Sequence, residues 1–126
     1  MGADLRTPRK AADGLGSAKS GTGHMIQQRV TAIALAGLVP WFMIAAALQV
    51  ERGYASARAF VAQPISAVLL LLLVTAAVLH MRLGLQVVIE DYIARHATRA
   101  ALLILNTFAA AVIWVAATMA ILSVAL

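Results

Sequence analysis

The sequence has no cysteine, which removes several kinds of site at once. A structural disulfide, a cysteine-ligated iron–sulfur cluster and covalent attachment of a c-type haem are all excluded from this chain. Acidic side chains are scarce too: five in 126 residues, against ten Lys and Arg. From residue 100 to the C-terminus there is no charged side chain at all. Nothing in the chain resembles a flavin site or a cluster site, and no internal repeat is visible. A cleavable signal is not expected, because the first apolar run begins too late and is too long for one. The stretch Gly14-Leu15-Gly16-Ser17-Ala18-Lys19-Ser20 has some likeness to a phosphate-binding loop. The glycine required before the lysine is Ala18, and no strand precedes it, so that reading is set aside.

What the chain does have is apolar surface: 63% of its residues are hydrophobic. A soluble domain of this size could not hide so much. The fold class expected is therefore all-α: a polytopic membrane protein with three transmembrane helices. The apolar runs place these helices at about 27–50, 64–92 and 99–126, forming one transmembrane domain over 27–126. Residues 1–26 read as a basic, mostly irregular cytoplasmic tail, and residues 51–63 and 93–99 as loops. Pro40 is expected to kink the first helix, and Trp41 beside it to pack against another helix. Asn106 and Thr107, the polar marks of the third helix, are expected to make interhelical hydrogen bonds.

The net charge of +5 is better explained by topology than by nucleic acid, which is not expected as a partner. Arg6, Arg9, Lys10, Lys19 and Arg29 precede or open the first helix, and Arg95 and Arg99 lie in the second loop. Only Arg52 and Arg58 lie in the first loop, so the basic residues divide seven to two. The excess of Lys and Arg on one side places the N-terminus and the end of the second helix in the cytoplasm, or in the matrix of a mitochondrion.

The chemistry is concentrated in the stretch from His80 to Tyr92. Ionisable groups at membrane depth are costly and mark functional sites by default. His80 and Asp91 point within roughly 20° of each other and lie about 16 Å apart along the helix axis. Gly84, one turn beyond His80, leaves room for something flat. His80 has two readings. It is a histidine hydrogen-bonded to a neighbouring helix, or it is an axial ligand of a haem iron. A haem held by two histidines needs a second at similar depth; His24 precedes the first helix and His96 lies in the second loop, so the other ligand would come from another chain. Arg29 is a topology charge, or beside a haem it pairs with a propionate. Asp91 and Tyr92 are a solvated helix end, or a carboxylate for proton transfer next to a phenol that donates to a quinone carbonyl. Arg82 points roughly away from His80, where snorkelling or pairing with a partner or lipid is expected.

His80, Gly84 and Asp91-Tyr92 on one helix, with Gln28-Arg29-Val30-Thr31-Ala32 opening the first, resemble the hydrophobic membrane-anchor family of succinate dehydrogenase, respiratory complex II. The likeness extends over nearly the whole chain, and the Asp-Tyr pair at a fixed distance from the histidine is its most specific part. The resemblance implies that His80 is the axial ligand this anchor gives to haem b, the metal being the haem iron. The other histidine would come from the cytochrome b556 subunit. It implies that Tyr92 hydrogen-bonds a ubiquinone carbonyl, that Asp91 is the neighbouring carboxylate, and that Arg29, with His24, lies near the haem propionates. Some members carry an aromatic residue where this chain has Arg82.

The function implied is that of an anchor in a succinate:ubiquinone oxidoreductase, not catalytic alone. It would hold the flavoprotein and iron–sulfur subunits at the bacterial inner membrane, in contact with lipid, or at the mitochondrial inner membrane if the source is eukaryotic. The alternatives are a fumarate reductase-type anchor and a haem-free accessory helix bundle of another membrane complex.

Overall fold

The structure is a computed structural model and describes residues 7–8 and 19–126. Four helices account for nearly all of residues 19–126: α1 (Lys19–Arg52), α2 (Tyr54–Ala62), α3 (Pro64–Tyr92) and α4 (His96–Ala125). No strand occurs among the described residues. Three helices are long and apolar enough to cross a membrane. With 34, 29 and 30 residues, α1, α3 and α4 measure about 51, 44 and 45 Å, against ~30 Å of hydrocarbon.

α3 is the middle of the layer. It packs against α1 on one side and α4 on the other, while α1 and α4 make no contact with each other. Short α2 closes one end and touches all three long helices. Small residues let α3 approach its neighbours: Ser66, Ala67 and Ala76 are buried along it, as is Ala110 on α4. Without a hydrophobic drive between helices in lipid, such close packing and polar links hold the helices together. The polar links are present. Asn106 Nδ2 donates to the backbone carbonyl of Arg82 at 2.9 Å, and Trp114 Nε1 donates to Thr75 Oγ1 at 3.0 Å. The interhelical role expected for Asn106 and Thr107 is met, since Thr107 Oγ1 accepts from Arg82 Nε at 3.4 Å. Burial is inverted relative to a soluble protein. Thr31, Ser66 and Asn106 are buried, whereas Ile33 is 73% and Phe108 66% exposed. Lipid is the solvent that such a surface requires.

The structure corrects three boundaries. Residues 19–26, read as tail, belong to α1. Hydropathy marks where a chain crosses the membrane; a helix nucleated there propagates outward into polar sequence at little further cost. The rest of the basic tail, with Arg6, Arg9 and Lys10 and most of the stretch 14–20, lies outside the described residues. The first loop contains α2, whose nine residues include four alanines and no glycine or proline. Alanine is the best helix former, and Gly53 and Pro64 set the limits on either side. Gly53 has φ 86 and ψ 177, a conformation that only glycine adopts readily. The second loop shortens to residues 93–95, because α4 starts at His96.

Pro40 lies inside α1, which continues to Arg52. Trp41 packs on Phe60 of α2 with ring centroids 6.0 Å apart, the interhelical contact expected of it.

Candidate functional site

His80 lies on α3, half-buried, and turns toward α1. Its Nδ1 is 3.0 Å from Thr31 Oγ1, and its Nε2 is 3.4 Å from Gln28 Nε2. The second contact is long for a hydrogen bond between nitrogens. Thr31 is 8% exposed, and its hydroxyl also reaches two backbone carbonyls of its own helix, Gln27 O at 2.8 Å and Gln28 O at 3.0 Å. A Cβ added to Gly84 would stand 3.7 Å from Gln28 Nε2. The room that Gly84 leaves is therefore taken up by the flat amide of Gln28.

Sequence reasoning passed over Gln28 and Thr31 as site residues. Both interrupt an apolar helix, and with His24 they follow the spacing i, i+4, i+7, which sets all three on one face. That spacing was the available signal. The stripe is not satisfied internally: His24 Nε2 and Gln28 Oε1 are buried with no hydrogen-bond partner among the described residues. Unpaired polar atoms are expensive in a helix seam that faces lipid. Arg29 is exposed and, one residue on from Gln28, is turned about 100° from this stripe.

Asp91 and Tyr92 end α3 and are both exposed, Tyr92 to 81%. They share a helix with His80 and lie about 16 and 18 Å beyond it along the axis. The turn that follows is braced by Arg99, whose Nε donates to Ile93 O at 2.8 Å. Glu90 accepts from Gln86 Nε2 at 2.9 Å on the helix surface. His96, exposed, opens α4. No group of three or more His, Cys, Asp or Glu side chains converges among the described residues.

The two faces of α3 differ in chemistry. His80 meets α1, whereas Arg82 meets α4 and lines a groove of about 490 Å³ with Thr75, Thr107 and Trp114. A second groove, about 340 Å³, lies at the α2 end between Phe42, Gln49, Tyr54 and Phe60. Neither is lined by Asp91 or Tyr92.

Three long helices dressed in exposed apolar side chains, with one imidazole held in a polar seam, define the class: a multi-pass helical membrane protein with a polar seam between its first two spans. Residues 3–123 match the family described as succinate dehydrogenase/fumarate reductase transmembrane subunit, and the chain belongs to that family. Among its relatives is the succinate dehydrogenase hydrophobic membrane anchor subunit of Paracoccus denitrificans, 37% identical over 107 residues, covering 85% of this chain and 83% of the relative. Proteins of the same description from Rickettsia bellii and Rickettsia conorii are 36% and 35% identical, covering 80% and 81% of this chain and 81% and 82% of each relative. No solved structure matches the chain.

Proposed function

We propose that this chain is the hydrophobic anchor of a succinate:ubiquinone oxidoreductase, that it holds haem b through His80, and that Asp91 and Tyr92 contribute to the ubiquinone pocket. The observation that carries the haem assignment is the state of His80. One ring nitrogen is held by Thr31 at 3.0 Å, and the other meets only a long contact from a side-chain amide. A neutral imidazole with one nitrogen fixed and the other available is the donor a haem iron takes. The unpaired His24 Nε2 and Gln28 Oε1 support the fit, because they are buried polar atoms awaiting a partner in the same seam. When bound, haem supplies one-electron exchange.

The residues of the chain divide the remaining work. His80 would hold the metal together with a histidine of the cytochrome b556 subunit. His24 lies seven residues before Thr31 on the same face, about 10 Å along α1, and would donate to a haem propionate. Arg29, exposed beside the stripe, would supply the charge for such a carboxylate. At the end of α3 the Tyr92 hydroxyl would donate to a quinone carbonyl, and Asp91 would relay the protons that quinone reduction consumes. Their exposure fits a pocket whose other wall belongs to the iron–sulfur protein or to cytochrome b556. Succinate oxidation would take place on the flavoprotein. Seven basic residues against two favour the cytoplasmic face of a bacterial inner membrane for this end of α3.

The test is an absorption spectrum of the assembled complex with His80 intact and with His80→Ala. Reduced b-type haem bands that vanish or shift in the variant are expected. Unaltered bands would remove His80 as a ligand, and absence of bands from the unsubstituted complex would favour a haem-free accessory role.

A further inference from the structure

We infer that Thr31 is a positioning residue for His80: its hydroxyl oxygen accepts the Nδ1–H hydrogen bond, fixes the ring tautomer and leaves Nε2 as the metal-binding nitrogen. This rests on the haem reading above and adds a residue to it. The argument is one of donors and acceptors. A threonine hydroxyl has a single hydrogen and two lone pairs. Two backbone carbonyls, Gln27 O at 2.8 Å and Gln28 O at 3.0 Å, are within reach of that hydrogen. They cannot donate in return, so a hydroxyl directed at either one offers only lone pairs to its third neighbour. That neighbour is His80 Nδ1, at 3.0 Å. With the hydroxyl so directed, Nδ1 carries the ring hydrogen. Gln28 gives the same answer from the other side of the ring, because its nearest atom to Nε2 is an amide nitrogen, which can only donate. Nε2 is thus the acceptor. With the Gln28 amide turned over, Nε2 would carry the hydrogen and Thr31 would donate to Nδ1; the ring would then present no lone pair to a metal.

Burial gives the arrangement its force. Thr31 is one of three buried polar residues in the described chain, and its rotamer is held from below by its own helix. Ring nitrogens opposite a metal are regularly tied to such an acceptor, which raises the basicity of the ligand and fixes the plane of the ring. A neutral oxygen acceptor adds electron density to the imidazole. It therefore favours the oxidised metal and lowers the midpoint potential.

The experiment uses the full complex with its partner subunits and compares Thr31→Val with Thr31→Ser. Valine keeps the shape but has no acceptor; serine keeps the oxygen. Potentiometric titration of the haem is expected to give a higher midpoint for valine and an unchanged one for serine. Haem affinity is expected to fall about 10- to 100-fold for valine only. A valine variant with the midpoint and haem affinity of the unsubstituted complex would overturn the inference while leaving His80 as ligand. An unsubstituted complex with no haem at all would overturn the underlying reading instead. Should the valine variant fail to assemble, pulsed electron paramagnetic resonance of the oxidised, unsubstituted complex decides. An exchangeable proton coupled to the remote ring nitrogen is expected, and its absence would overturn the inference.

Discussion

Gly84 and Gln28 meet across the α1–α3 seam, with the position of a Cβ on Gly84 3.7 Å from the Gln28 amide nitrogen. That is ordinary van der Waals separation, so one methyl group fits and a branched side chain does not. Gly84→Ala is expected to leave the haem spectrum intact, and to stabilise α3 by up to about 1 kcal/mol through helix propensity. Gly84→Leu would push the amide of Gln28 against His80, and the complex should lose haem. The measurement is haem per mole of flavin in the purified complex. Loss of haem in the alanine variant would show that the seam needs more room than the Gln28 contact implies.

Tyr92 is separated from His80 by twelve residues, about 18 Å along α3, and is exposed where His80 is not. The two should be separable by function. Tyr92→Phe removes one hydrogen bond to a carbonyl and is expected to lower succinate:quinone reductase activity about tenfold. Asp91→Asn removes a proton relay and is expected to cost about a hundredfold. Neither should alter succinate oxidation by an artificial acceptor or the haem spectrum. Equal loss of both activities in either variant would count against a quinone role.

The α3–α4 interface is cross-linked by Trp114 to Thr75 and by Asn106 to the Arg82 carbonyl. Interhelical hydrogen bonds in membranes are worth ~0.6 kcal/mol on average and up to ~1.7. A double-mutant cycle of Trp114→Phe with Thr75→Val is expected to give a coupling energy in that range, from thermal unfolding of the complex in detergent. Asn106→Leu, with little change in volume, is expected to cost about 1 kcal/mol and leave haem content unchanged. A coupling energy of zero for the pair would mean that α4 is held by packing and by the remaining links, Asn106 to the Arg82 carbonyl and Arg82 to Thr107.

Much of this architecture is written in residue types that lipid forces to be explicit. The sequence sets a helix over about 64–92, and α3 runs Pro64–Tyr92. Proline suits a first helical turn, and the run of apolar residues ends at Glu90 and Asp91. The start of α1 was less legible, since the segment 19–24 is polar and glycine-bearing and owes its helical state to the span beyond it. α2 escaped notice because nine residues are too few to cross a membrane, and the charges around Arg58 suggested a loop. His80 was legible as an ionisable group in an apolar run. Thr31 and Gln28 were not, because each alone looks like a tolerated polar interruption; only the i, i+4, i+7 step from His24 marks them as one face. Asp91 and Tyr92 are exposed at the end of α3, and in the proposed reading the other walls of their pocket would come from other chains, which one sequence does not contain.

Gly53 joins α1 to α2 and is the only residue with positive φ among those described. Its φ of 86 and ψ of 177 lie in a region that is essentially closed to residues with a Cβ. Space is not the obstacle, because nothing lies within 4 Å of where that Cβ would be. The obstacle is the backbone itself. The turn also carries two hydrogen bonds, Gly53 N–H to Gln49 O at 3.0 Å and Ala57 N–H to Gly53 O at 3.2 Å, and Ser56 donates to Gln49 Oε1 at 2.6 Å beside them. A change at this position is therefore transmitted to α2 and to the Trp41–Phe60 contact rather than absorbed locally. Gly53→Ala is expected to destabilise the chain by about 1–3 kcal/mol, and Gly53→Val by at least as much. Both should leave the haem spectrum unchanged, because α2 closes the end of the layer remote from Tyr92. Thermal unfolding of the complex, read by circular dichroism alongside the haem bands, checks both halves. A midpoint for Gly53→Ala equal to that of the unsubstituted complex would mean that the turn reorganises into a conformation open to all residues.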